Sequence, residues 1–189
     1  PRPYFVAKFH NFQSRERTQK SRSSYLLSLM LHFQYSSLIE ATVEVVWDFH
    51  ERPDILKLLT PPWQPVRVIR REGGLGVGAV SEFCLFLGPI PIPWVARHTD
   101  CTPYRNFTDE QVKGPMRSWV HRHQFTPQSG GTQLTDAIAY ELPGGWLAEV
   151  LLGWWVKSRL QEMFRYRHQV TQRECKMLAE PDPDERDVD

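Results

Sequence analysis

The sequence predicts an α+β fold in which a curved antiparallel sheet of about seven strands wraps one long C-terminal helix. Two short helices follow the first strand. Three observations carry this prediction. Hydrophobic alternation with period two recurs in short stretches between residues 66 and 142, divided by Gly- and Pro-rich turns. A helical pattern of about thirty residues, roughly 45 Å long, then fills 146–175. Ahead of the meander, the period is helical over 42–59 and broken once, at Pro53.

In order along the chain, His32–Glu40 (HFQYSSLIE) is the first strand, with Phe33, Tyr35 and Ser37 on one face. Thr42 opens the first short helix, where Val45, Val46 and Phe49 form an apolar side. Thr60-Pro61-Pro62 ends the second. Six strands follow, at Val66–Arg71, Ala79–Leu87, Ile92–Cys101, Asn106–Lys113, Ser118–Thr126 and Gln133–Leu142. Their separators, such as Gly73-Gly74-Leu75-Gly76, Gly88-Pro89 and Ser129-Gly130-Gly131, are hairpin chemistry. Gly74-Leu75-Gly76-Val77-Gly78 leads into a strand and lacks the spacing of a dinucleotide loop. In the long helix, Leu147, Val150, Leu151, Trp154, Met163, Phe164 and Val170 make the apolar band expected to face the sheet. Glu149, Lys157, Arg159, Arg165, Arg167 and Arg173 are expected on the outer side.

The composition narrows the function classes. In a chain of 189 residues, 41% hydrophobic and 12% aromatic content supports one packed core. The net charge of +1 hides an asymmetry: residues 1–28 sum to +5 and residues 180–189 to −5, leaving +1 on the body. No basic surface for nucleic acid is indicated. Residues 1–29 are expected to be a disordered basic leader, either a transit peptide or extra translated sequence, and 179–189 a disordered acidic tail around a domain at 30–178. The longest apolar run, Val150–Val156, is too short to span a bilayer. Cys84, Cys101 and Cys175 have no metal-ligand spacing and are expected to be reduced thiols, which points to the cytoplasm.

The chemistry concentrates in Arg117–Phe125 (RSWVHRHQF). Strand alternation places Trp119, His121, His123 and Phe125 on one inward face. The same alternation groups Phe107, Asp109 and Gln111 on the preceding strand, and Leu134, Asp136, Ile138 and Tyr140 on the following one. Asp109, Gln111, His121, His123, Asp136 and Tyr140 are therefore expected to meet in one internal polar network. Three roles compete for it: a structural polar layer, an anchor for the polar end of an apolar ligand, and a His–Asp acid/base pair with Asp109 or Asp136 as orienter. A His–Xaa–His metal site is the weakest option, because its third ligand (Asp109, Asp136 or His98) is not set by spacing. No cofactor or metal is expected. Trp94, His98 and Trp154 complete the expected ligand-contacting set.

These motifs resemble those of the SRPBCC superfamily, which includes START domains, the birch pollen allergen fold and polyketide cyclase/dehydrases. The resemblance covers about Met30 to Cys175. It rests on Phe107-Thr108-Asp109-Glu110-Gln111, Lys113-Gly114-Pro115, Ser118-Trp119, His121-Arg122-His123-Gln124-Phe125 and Thr135-Asp136 through Tyr140-Glu141-Leu142-Pro143. It is nearest to bacterial ligand-binding members, some fused to a sugar-epimerase-like domain. No Rossmann-type domain follows here, so the domain is expected to stand alone. The resemblance implies a helix-grip fold and a cavity for an apolar small molecule or lipid, carried without turnover. The alternatives are a cyclase/dehydrase-type enzyme and membrane-associated lipid or quinone handling through the Trp-rich start of the last helix.

Overall fold

A computed structural model describes residues 30–179; the expected leader and nearly all of the expected tail lie outside them. Seven strands form one antiparallel sheet: β1 (Leu31–Ile39), β2 (Val66–Glu72), β3 (Val80–Leu87), β4 (Ile90–Thr102), β5 (Asn106–Lys113), β6 (Ser118–Gln128) and β7 (Gly131–Glu141). The order across the sheet is β1-β7-β6-β5-β4-β3-β2. The first strand therefore pairs with the last, and consecutive strands from β2 to β7 are hairpin neighbours. The chain crosses from the β1 edge to the β2 edge through α1 (Val43–Glu51) and α2 (Ile55–Leu58). Pro53 lies between these helices. It cannot donate a helical hydrogen bond, so one predicted helical stretch becomes two.

Gly131 opens β7 at φ +147, with its missing side chain directed at the Ile39 carbonyl. A Cβ there would collide with the neighbouring backbone, so glycine is required where β7 starts beside the end of β1.

α3 (Gly145–Ala179) runs across the sheet and packs mainly on β1, α1 and β7. Its inward stripe is Leu160, Phe164, His168, Thr171 and Cys175, spaced at three or four residues. Carried backward in the same phase, that stripe passes through Gly153, Glu149 and Gly145, which are also buried. Leu147, Val150, Leu151 and Trp154 consequently fall on the opposite side, with Leu151 67% and Trp154 70% exposed. This corrects the sequence reading of the first three turns. The apolar band there faces outward, Trp154 is not a core residue, Trp155 is 42% exposed, and Glu149 is buried rather than external. Arg167 is also turned inward, flanking Phe164.

The interior holds two apolar clusters. One gathers Ile39, Val46, Trp47, Phe49, Phe107, Phe125, Leu134, Val170 and Cys175 beneath α1. The other gathers Phe33, Trp94, Trp119, Ile138, Tyr140, Leu160 and Phe164. Along β6 the inward residues run Phe125, His123, His121, Trp119; along β7 they run Leu134, Asp136, Ile138. The polar residues thus form a belt between the two clusters. Among the described residues, the three cysteines are free thiols.

Candidate functional site

The strand register builds the belt. Asp109 on β5 is the cross-strand partner of His121 on β6, and His123 is the partner of Asp136 on β7. Asp136 is the hub and is only 3% exposed. Its Oδ1 lies 2.8 Å from His121 Nε2, and its Oδ2 lies 2.6 Å from Nε2 of His168 on α3. His123 Nδ1 is 2.7 Å from the same Oδ1 but out of line for a hydrogen bond, and it has no other partner. The other ring nitrogens of the two β6 histidines turn to Asp109: His121 Nδ1 is 3.5 Å and His123 Nε2 is 3.7 Å from Asp109 Oδ1. His168 Nδ1 continues the chain to the Ser37 hydroxyl at 2.7 Å.

Rings enclose these groups. Phe107 stacks on His123 with centroids 4.1 Å apart, and Phe164 meets His121 edge-on at 5.3 Å. At this depth burial opposes every charge, and the pairings decide the outcome. Burial pushes the His123 imidazole down, but Asp136 and Asp109 together raise it to about 9. Burial pushes the Asp109 carboxyl up, and His123 and His121 more than reverse this, holding it below the usual range. The same competition leaves Asp136 well below that range, through His123, His121 and His168. Burial and the neighbouring His123 charge lower His121. At neutral pH the belt therefore carries two carboxylates, one imidazolium on His123 and a neutral His121. Arg167 overlooks them. Burial lowers its guanidinium, while Asp136 and Asp109 support the charge. Its Nε is shut off from solvent and has no partner among the described residues.

Asp109, His121, His123 and Asp136 thus come together as the alternation predicts. Trp94 and Trp119 lie edge to face at 5.3 Å in the adjoining apolar wall, and Phe107, Phe125 and Ile138 are buried beside the belt. Other expectations need correction. Gln111 is not in the network: its side chain holds a turn by donating to the Met116 carbonyl at 2.8 Å and accepting from the Met116 N–H at 3.2 Å. His98 donates from Nδ1 to the Leu75 carbonyl at 2.8 Å and stacks on Phe107, so its polar edge serves a loop. Tyr140 is buried against Trp119 in the apolar cluster, away from the hydrogen bonds of Asp136.

Sequence reading missed His168, Arg167 and His50. His168 stands four residues after Phe164 on one helix face, a signal present but masked by the misplaced helix phase. His50 is buried in α1, donates from Nδ1 to the Val46 carbonyl at 2.7 Å, and lies 6.2 Å from the His123 ring.

Two concavities stand out on the described residues. One, of about 320 Å³, is on the outer face of the sheet by His32, Gln34, Val120 and Arg122. The other, of about 240 Å³, lies between Trp63 and Glu162, Arg165, Tyr166 and Gln169 of α3. Neither lies between helix and sheet, where the sequence reading puts the ligand. No helix of the described residues is long and apolar enough to cross a membrane.

Comparison with known proteins agrees with this architecture. Residues 39–168 match the family described as polyketide cyclase/dehydrase and lipid transport. No curated protein matches the sequence significantly. Among solved structures, a protein from Thermus thermophilus, TTHA0849, superposes with a TM-score of 0.63 at 16% identity, covering 79% of this chain and 100% of that one. The Zhui aromatase/cyclase from Streptomyces sp. R1128 gives 0.63 at 14% identity, covering 81% and 98%. A nucleoside-diphosphate sugar epimerase from Corynebacterium glutamicum gives 0.60 at 30% identity, covering 77% of this chain but only 29% of the epimerase.

Proposed function

Since the chain belongs to the polyketide cyclase/dehydrase and lipid transport family, within the SRPBCC superfamily, we propose that it binds and carries a hydrophobic small molecule or lipid between α3 and the sheet, without transforming it. One observation carries this reading. Among the described residues, the interior is apolar on both sides of a charged belt, and there Arg167 Nε is buried with no hydrogen-bond partner. An apolar molecule with one carbonyl or carboxylate oxygen would satisfy that donor while its chain replaced contacts of the Trp94–Trp119 wall. Entry requires packed side chains to give way, which lowers affinity by the cost of opening.

Native mass spectrometry of the full chain, purified gently from its host and then extracted under denaturing conditions, tests the reading. The expected result is a stoichiometric apolar molecule recovered unchanged after incubation with the protein. Occupancy should fall about tenfold or more in Arg167→Met, the scale of one lost charge-assisted hydrogen bond. A chain that is empty, and stays empty through a screen of fatty and isoprenoid acids, overturns it. A second reading, acid/base catalysis of the cyclase/dehydrase type, draws on His121, held at 2.8 Å by Asp136 with its other nitrogen toward Asp109. Conversion of the extracted molecule, abolished in His121→Gln while binding persists, would decide for that reading.

The outward face of α3 favours contact with an anionic bilayer surface as the route of exchange. Trp146, Leu147, Val150, Leu151, Trp154 and Trp155 are all exposed there, and the one charge in 145–156, Glu149, is buried on the other side. Exposed Lys157 and Arg159 follow directly. Apolar and indole side chains beside cations suit the headgroup boundary. Flotation with phosphatidylglycerol vesicles should carry the full chain upward, less so at high salt, and the Leu151→Glu/Trp154→Glu variant should remain at the bottom. Wild-type protein that stays down with these vesicles would exclude the contact.

A further inference from the structure

We propose that Asp109, His121 and His123 form a binding site for one divalent transition-metal ion of the zinc class, with Asp136 as the carboxylate that stands behind both histidines and orients His121. The inference goes beyond ligand carriage and does not depend on it. Sequence spacing alone leaves the third donor undecided; the fold decides it. His121 and His123 share one face of β6, and the β5–β6 register sets Asp109 directly across from His121. One donor atom from each of the three residues lies within 4.8 Å of the other two. Asp109 Oδ1 stands 3.5 and 3.7 Å from the two nitrogens. Donors bonded to one ion at about 2.1 Å stand roughly 3.0–3.4 Å apart, so a few tenths of an ångström of closure would bring Asp109 into range of both nitrogens.

The second observation is the arrangement behind the donors. A metal-binding imidazole characteristically gives its far nitrogen to a carboxylate, which fixes the ring and its tautomer. Here Asp136 Oδ1 accepts a hydrogen bond from His121 Nε2 at 2.8 Å, and it lies 2.7 Å from His123 Nδ1 as a charge partner, out of line for a hydrogen bond. Asp136 is itself held from α3 by His168 Nε2 at 2.6 Å, and His168 is held by Ser37. The near nitrogens are left converging on Asp109; the ion would take the place of the proton on His123 Nε2, so binding at neutral pH releases one proton to solvent, while the neutral His121 offers the Nδ1 lone pair directly. Phe107 and Phe164 wall the two rings. Two imidazoles and one carboxylate prefer zinc, iron(II) or manganese(II) over calcium or magnesium, and they leave coordination positions for water or a ligand oxygen.

The test uses the full chain, purified without chelator or added metal, analysed by inductively coupled plasma mass spectrometry and then stripped. Zn2+ is titrated in competition with a chromophoric chelator. One equivalent should bind with Kd in the low micromolar range or tighter. Asp109→Asn and His123→Gln should each weaken binding at least tenfold, while His98→Gln, a buried imidazole outside the trio, should leave it unchanged. Co2+ loaded into the wild type should display visible d–d bands and two paramagnetically shifted imidazole N–H resonances, a readout that holds even where a variant does not fold. No saturable zinc below 100 μM, binding equal in Asp109→Asn and wild type, or a Co2+ spectrum without imidazole signals would each overturn the proposal.

Discussion

Replacing Asp136 by Ala is expected to lower the unfolding free energy by about 3–5 kcal/mol, the range for removing one member of a buried charge pair. The side chain is 3% exposed and stands at the centre of the belt. Without it, His121 Nε2 and His168 Nε2 lose their only described acceptor, and the His123 charge is left with Asp109 alone at 3.7 Å. Unpaired polar groups at that depth carry their full desolvation penalty. Asp136→Asn, which keeps the shape and one acceptor oxygen, should lose less. Urea unfolding at pH 7 measures both. An unchanged midpoint in Asp136→Ala would mean that the belt costs the fold as much as it contributes, leaving function as its reason to exist.

Stability should fall on both sides of an optimum between about pH 6 and 7, and His50 should set much of the acid side. Burial pushes His50 down to about 4 from an ordinary 6.5, so the folded state holds it neutral. A lowered histidine contributes stability above its unfolded pKa and loses it as pH falls toward the folded one, here from 6.5 to about 4. The full difference is roughly 3 kcal/mol at 1.36 kcal/mol per unit. Burial also lowers His98 and His121, adding losses in the same direction. Asp136 and Asp109, held low by the histidines, withdraw their contribution only at still lower pH. His123 works oppositely. Raised to about 9, its contribution is complete below 6.5 and disappears as pH rises from there to 9. In His50→Leu the drop in unfolding free energy between pH 7 and pH 4.5 should shrink by about 2 kcal/mol relative to wild type. Equal drops in the two proteins would show that His50 is not held neutral.

Both predictions rest on residues that differ in how visible they were in the sequence. The alternation of Leu134, Asp136, Ile138 and Tyr140 is a local property of the chain, because strand side chains change face at every residue. Short Gly-containing connections make consecutive strands neighbours. Together these rules were enough to bring Asp109, His121, His123 and Asp136 into one group and to recover every strand to within a few residues. The misplaced helix face has a different origin. α3 has apolar residues around much of its circumference in its first three turns, so no local pattern selects the side that packs. That choice is made by the stripe from Leu160 to Cys175, where β1, β7 and α1 cover the helix.

The sequence by itself therefore determined the element order, the hairpin meander, the inward faces of β5 to β7 and the family. The first three depend on period and turn chemistry, which act over a few residues; the family rests on the resemblance carried by the motifs from Phe107 to Pro143. Only the tertiary structure decided that His168 and Asp136 meet across helix and sheet, that Arg167 turns inward while Trp154 turns outward, and that Gln111 serves a turn. It also decided that Asp109, His121 and His123 each bring one donor atom within 4.8 Å of the other two. Most of these depend on helix rotation or on strand register, which are set by contacts between residues far apart in the chain; the Gln111–Met116 contact joins residues only 5 apart but forms only once the turn between β5 and β6 is in place.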